Sequence, residues 1–172
     1  MLRKVITGLL IFLCFLLQSS VFPAISFAGI IPNLLIILTA SFGFMRGEES
    51  GMLVGFFCGM LTDVLYGDIL GFYALIYLYI GFVNGKFSRI FYKEDIKLPI
   101  CLIVVSDLTY GLMIYLLVFL LRGRFDFIYY FTRVIIPECI YTIVVTIVLY
   151  PLILLINNRL EIGERKRAQK FV

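Results

Sequence analysis

The sequence predicts an all-α integral membrane protein, a bundle of about six transmembrane helices with both termini in the cytoplasm. Three observations predict this class. The 172-residue chain is 62% hydrophobic, whereas a soluble domain is about half apolar. Its mean hydropathy is +1.07. Its apolar runs are continuous rather than periodic, as expected for segments that hydrocarbon surrounds on all sides.

Short polar breaks divide the apolar sequence into six segments, each predicted to be a transmembrane helix. They are residues 5–22, 30–45, 51–66, 69–83, 98–121 and 134–156. The second to fourth segments are shorter than the roughly 20 helical residues that cross a bilayer core, so we expect them to extend into their flanking loops. Residues 1–156 are predicted to form a single transmembrane domain, and residues 157–172 a basic cytoplasmic tail.

The positions of lysine and arginine predict the orientation. Six crossings place both termini on one side, and that side carries twelve basic residues: Arg3, Lys4, Arg46, Lys86, Arg89, Lys93, Lys97, Arg159, Arg165, Lys166, Arg167 and Lys170. Because positively charged segments stay in the cytoplasm, both termini are predicted to be cytoplasmic. The first segment has features of a signal peptide, but it continues to Phe22, so we expect it to be retained as a helix.

The composition argues against several functional classes. The chain has no histidine, which is the commonest general base and metal ligand. Its cysteines lie in apolar runs without paired spacing, so no metal, cofactor or disulfide is predicted. Intramembrane proteolysis needs an activated nucleophile or facing aspartates, and nothing around Asp63 or Asp107 marks one. We therefore predict a protein that is not an enzyme and that has no nucleic-acid partner.

Small residues recur at every fourth position of residues 51–71. The series is Gly51, Gly55, Gly59, Asp63, Gly67 and Gly71. Residues four apart lie on nearly the same side of an α-helix. Because helices in lipid associate through close backbone approach, these five glycines are predicted to pack the third segment against a neighbouring helix.

Four charged residues are predicted to lie in or near the hydrocarbon: Asp63, Asp107, Arg133 and Glu138. A carboxylate there costs several kcal/mol unless it is paired, hydrated or protonated. We expect Arg133 to pair with Asp63 or Glu138, which lie at similar depth, and any surplus acid to be protonated or hydrogen-bonded by hydroxyl groups. Three roles stay open for these residues: internal hydrogen bonding, an ion or substrate path, and docking of a partner.

Several short motifs also follow one another along residues 5–90. They are Leu17-Gln18-Ser19-Ser20, Pro32-Asn33-Leu34, Arg46-Gly47, Gly55-Phe56, Gly59, Asp63, Gly67, Gly71 and Ala74-Leu75. This ordered set resembles the bacterial rod shape-determining MreD family, in which an acid often stands at the position of Asn33. The resemblance implies a multi-pass, non-enzymatic scaffold of the plasma membrane. Such a scaffold would support rod shape and peptidoglycan synthesis with MreC, MreB, RodA and a penicillin-binding transpeptidase.

That family is also similar to the substrate-binding subunits of energy-coupling-factor vitamin transporters, which supplies an alternative hypothesis. Such a subunit needs an outward cavity lined by polar and aromatic groups. Tyr129, Tyr130, Arg133 and Glu138 could line one. Tyrosines near the outer headgroups are, however, equally typical of the aromatic belt of any membrane protein.

Overall fold

The computed structural model describes residues 2–26, 29–67, 69–90, 97–120 and 126–168, and these form six helices and no β-sheet. Helix α1 comprises Leu2–Leu16, a π-helical turn Leu17–Val21 and Phe22–Ala24. Helices α2, α3 and α4 are Leu34–Arg46, Glu48–Tyr66 and Phe72–Ile90. Helix α5 comprises Lys97–Ile114 and the π-helical Tyr115–Leu120. Helix α6 comprises Phe127–Tyr130, the π-helical Phe131–Ile135 and Ile136–Ala168. The predicted all-α class is confirmed for these residues.

Three of the helices are long and apolar enough to cross a membrane. They are Arg3–Ala24, Lys97–Val118 and Phe127–Glu164, with 22, 22 and 38 residues. At about 1.5 Å per residue, 22 residues span roughly 33 Å, which matches a hydrocarbon core of about 30 Å. Helix α2 is apolar but has only 13 residues, so the prediction that the second segment extends into its flanking loops is wrong. Helices α3 and α4, with 19 residues each, do extend beyond the predicted segments. Membrane crossing by α2, α3 and α4 stays a prediction.

Helix α2 is the centre of the bundle and contacts all five other helices. Every residue from Leu34 to Met45 is buried. A helix that is apolar on all sides is suited to such a position. Its roughly 20 Å length is shorter than the hydrocarbon core. Because neighbouring helices surround it, its ends can find hydrogen-bond partners in protein, which lipid could not supply.

The alternating helix directions divide the bundle into two ends. The basic end carries Arg3, Arg46, Lys86 and Arg159, and there Arg3 Nη1 lies 2.9 Å from Glu164 Oε2. The opposite end, where α2 and α4 begin, is called the capped end below. Residues 157–168 of the predicted tail continue α6 as a helix.

Candidate functional site

The closest helix contact is between α3 and α4, and glycines make it. A β-carbon on Gly51 would overlap the carbonyl oxygen of Gly81, and one on Gly55 would overlap that of Tyr77. A β-carbon on Gly59 would overlap the backbone of Ala74. Because the obstructing atoms belong to the backbone, no side-chain rotation would relieve these overlaps. The two helices therefore meet backbone to backbone, as small residues permit in membrane proteins.

The other two glycines of the predicted packing face lie in the connection between α3 and α4. Gly71 has a φ of +97°, which residues with a β-carbon rarely adopt, and a β-carbon there would meet no neighbouring atom. Gly67 ends α3, and its N–H donates a hydrogen bond to the Asp63 carbonyl oxygen at 2.9 Å. These two residues shape the turn and do not form the helix interface.

The Asp63 carboxylate caps the N-terminus of α4. Asp63 is only 1% exposed. Its Oδ1 accepts a hydrogen bond from the Tyr73 N–H at 2.8 Å, and its Oδ2 accepts from the N–H groups of Gly71 and Ala74 at 3.0 and 3.1 Å. The first N–H groups of a helix lack intrahelical acceptors, and the helix dipole favours a negative charge there. A carboxylate of α3 thus serves as the cap of α4.

The N-terminus of α2 is also buried, and side chains form hydrogen bonds with its backbone N–H groups. Asn33 Oδ1 accepts a hydrogen bond from the Ile36 N–H at 3.2 Å, the geometry of an N-cap. Gln18 Oε1, from the π-helical turn of α1, accepts from the Leu35 N–H at 3.1 Å. The Asn33 N–H donates to Thr142 Oγ1 of α6 at 3.2 Å. Backbone groups at this helix end are therefore satisfied by side chains from α1, from α6 and from the residue preceding α2.

Tyr77 connects α4 to this cap. The side chain is fully buried, and its hydroxyl donates to Asn33 Oδ1 at 3.0 Å. Its ring packs against Tyr110 of α5, with 5.3 Å between the ring centroids. Tyr77 thus joins α4 to the cap of α2 through a hydrogen bond and to α5 through an aromatic contact.

Asp107 of α5 is also buried, but its surroundings differ from those of Asp63. It is 3% exposed, and neither carboxylate oxygen has a hydrogen-bond partner within the described parts of the chain. The Thr142 hydroxyl and the Cys139 thiol of α6 lie nearby, but neither meets the geometry of a hydrogen bond. Glu138, which is half-buried, lies within electrostatic range of Asp107. Asp107 and Glu138 therefore lie near each other, and Asp107 lacks backbone N–H donors like those that stabilise the Asp63 carboxylate.

Arg133 does not form the ion pair that the sequence predicted with Asp63 or Glu138. It lies exposed in the π-helical turn of α6 and, among the residues that the structure describes, forms no ion pair with Asp63 or Glu138. The predicted pairing is wrong, because the helix end of α4 already satisfies Asp63 and because Arg133 lies on the outside of the bundle.

Sequence reasoning missed several polar residues that hold helices together. Gln18 and Asn33 stood within recognised motifs, but their capping role depends on which helix end they meet. Asn84 Nδ2 donates to Ser106 Oγ at 2.7 Å and joins α4 to α5. A lone amide in an apolar run was the available signal for Asn84, whereas nothing in the sequence distinguished Tyr77 from other membrane tyrosines.

Comparison with known proteins identifies one family. The model of the family described as rod shape-determining protein MreD matches residues 1–159. No curated protein and no solved structure matches the chain significantly.

Proposed function

Because the chain belongs to the MreD family of rod shape-determining proteins, we propose that it is an integral membrane scaffold of the machinery that elongates the lateral cell wall. In this role it crosses the bacterial plasma membrane several times with both termini in the cytoplasm. It supports peptidoglycan synthesis through MreC and the associated synthases.

The observation that supports a scaffold best is the combination of a closed interior with apolar outer faces. Helix α2 is buried on all sides, and α3 and α4 meet backbone to backbone. Large apolar side chains of α1, α5 and α6 are exposed instead, among them Leu9, Val105 and Val148. A firmly packed subunit of this kind can hold neighbours by helix–helix contact within the bilayer.

The proposed partner is MreC, and contact would occur mainly within the membrane. The connections that the structure describes are short: Gly47 alone separates α2 from α3, and a few residues around Gly71 lead from α3 to α4. Such segments offer little surface outside the lipid. Among the residues that the structure describes, the exposed helix faces and the basic end are therefore the surfaces available to other subunits.

Photo-crosslinking tests this proposal in living cells. A photoreactive amino acid is placed at one exposed position on each of five helices: Leu9, Leu53, Leu75, Val105 and Val148. Ile37, which is fully buried, serves as the control. We expect a crosslink to MreC from one or two adjacent faces and none from Ile37.

Depletion of the protein provides the functional half of the test. We expect rod-shaped cells to become round, and re-expression of the unaltered chain to restore rods. Cells that keep their shape and their rate of wall incorporation after depletion would contradict the scaffold function.

A second candidate, a substrate-binding membrane subunit of a vitamin transporter, draws support from Asp107. Its buried oxygens have no hydrogen-bond partner in the described structure, and a bound ligand could supply donors. Purified protein that retains riboflavin, thiamine or a similar vitamin, and loses it in Asp107→Asn, would favour this function. Absence of any retained vitamin, together with loss of rod shape on depletion, would favour the scaffold.

A further inference from the structure

A cavity of about 400 Å³ lies at the basic end, where the start of α1, the end of α2 and the C-terminal part of α6 meet. Its polar lining comprises Arg3, Arg46, Ser50, Asn157, Glu161 and Glu164. Sites for small molecules typically have volumes of about 300–1,000 Å³, so the cavity can hold a small polar group. The two arginines and two glutamates give the lining both signs of charge and a net charge near zero.

Arg46 brings unused hydrogen-bond donors to this cavity. Its Nε donates to Asn157 Oδ1, and its guanidinium carbon lies 5.6 Å from the centre of the Phe42 ring. Within the described residues Arg46 forms no ion pair. The terminal amino groups are therefore available, and a planar guanidinium binds the oxygens of a phosphate in a bidentate manner.

The glutamates add the opposite charge on the side of α6. Glu164 is paired with Arg3, but the two side chains are 49% and 43% exposed, and exposed pairs of this kind are weak and exchange readily. Glu161 and Glu164 both lie within electrostatic range of Arg46. A ligand that matches this lining carries an anionic group for Arg46 and a cationic group for the carboxylates.

The position of the cavity indicates where such a ligand comes from. Arg3 begins a helix long enough to cross the membrane, and Arg46 ends the apolar helix α2. Lipid headgroups occupy the layer just beyond the ends of the hydrocarbon. The cavity therefore lies where two candidate membrane spans, Arg3–Ala24 and Phe127–Glu164, have their ends, which is the depth expected for lipid headgroups.

We propose that this cavity binds the headgroup of one phosphatidylethanolamine molecule. The phosphate contacts Arg46, and the primary ammonium donates hydrogen bonds to Glu161 and Glu164. Phosphatidylglycerol carries the same phosphate but has no ammonium to donate hydrogen bonds to the two glutamates. Phosphatidylcholine has a quaternary ammonium with no N–H to donate.

Native mass spectrometry of the full chain, exchanged into equal amounts of phosphatidylethanolamine and phosphatidylglycerol, tests the proposal. We expect the first bound lipid to be phosphatidylethanolamine with about tenfold preference, since charge-assisted hydrogen bonds are worth at least that factor. Arg46→Gln should weaken retention of both lipids, because both carry the phosphate, and Glu161→Gln should abolish the preference. Arg159→Gln and Glu49→Gln make the same changes at exposed positions of the basic end outside this lining and should preserve it.

Two further measurements distinguish the ways in which the proposal could be wrong. Arg46→Lys keeps the charge but loses the planar fork, so we expect weaker retention of both lipids by a folded protein. Soluble glycerophosphoethanolamine should compete only weakly; equal binding of the soluble ester would overturn the assignment to lipid. Equal retention of both lipids, or an unchanged preference in Glu161→Gln, would overturn the site itself. None of these outcomes bears on family membership or on crosslinking to MreC.

Discussion

The Asp63 carboxylate of α3 and the Tyr73 N–H of α4 are joined by a hydrogen bond of 2.8 Å at the capped end of the bundle. The same carboxylate accepts two further backbone hydrogen bonds, from Gly71 and Ala74. One side chain therefore ties the end of one helix to the beginning of the next, beside the glycine contact that packs the two helices along their length.

Replacing Asp63 should weaken the protein in proportion to the acceptors lost. In Asp63→Leu the first N–H groups of α4 are buried without acceptors, so we expect a loss of about 3 kcal/mol or more in the free energy of unfolding. Asp63→Asn keeps one acceptor oxygen and should lose about 1–2 kcal/mol. Thermal unfolding in detergent measures both, and an equal loss in the two variants would show that the charge itself, and not hydrogen bonding, is decisive.

Asp107→Asn should behave differently from the same change at Asp63. The Asp107 oxygens have no hydrogen-bond partner in the described structure and lie near another acid, Glu138. Removing an uncompensated buried carboxylate is neutral or favourable, so we expect stability to stay the same or rise by about 1 kcal/mol. The midpoints of thermal unfolding of the two variants, compared side by side, check this. A loss at Asp107 as large as that at Asp63 would mean that the carboxylate has a partner.

Gly55→Ala and Gly8→Ala should change stability in opposite directions. A β-carbon on Gly55 would overlap the α4 backbone, so the helices must separate, at a cost of about 1–3 kcal/mol. A β-carbon on Gly8 meets no neighbouring atom, and alanine is favoured over glycine in a helix by about 0.5–1 kcal/mol. Thermal unfolding and restoration of rod shape in depleted cells measure the difference. A tolerated Gly55→Leu would show that α3 and α4 do not pack as described.

Tyr77 and Asn33 should prove energetically coupled. The Tyr77 hydroxyl donates to the oxygen of Asn33 that also caps α2. A double-mutant cycle with Tyr77→Phe and Asn33→Ala isolates this contact, and we expect a coupling energy of about 0.5–1.5 kcal/mol. Tyr79→Phe, an exposed tyrosine of the same helix, should show no coupling to Asn33→Ala.

The sequence by itself determined the helical class, the limits of α1, α3 and α5 to within 3 residues, and the face of α3 that carries Gly51, Gly55 and Gly59. It did not determine the C-terminal ends of α4 and α6, which lie 7 and 12 residues beyond the predicted segments. These are local properties: composition and spacing along one helix specify them without reference to any other part of the chain. The sequence also marked Asp63 and Asp107 as residues that need an explanation, because a carboxylate within an apolar run is costly wherever that run packs.

Only the tertiary structure decided what those residues contact. Asp63 meets the beginning of α4 and not Arg133, and the Asn33 N–H meets Thr142, which lies 109 residues away along the chain. The structure also placed the shortest helix, α2, at the centre of the bundle. Such relationships depend on which helix ends lie side by side. Helix packing sets that arrangement. The same spacing of residues along each helix is compatible with many ways of packing the helices.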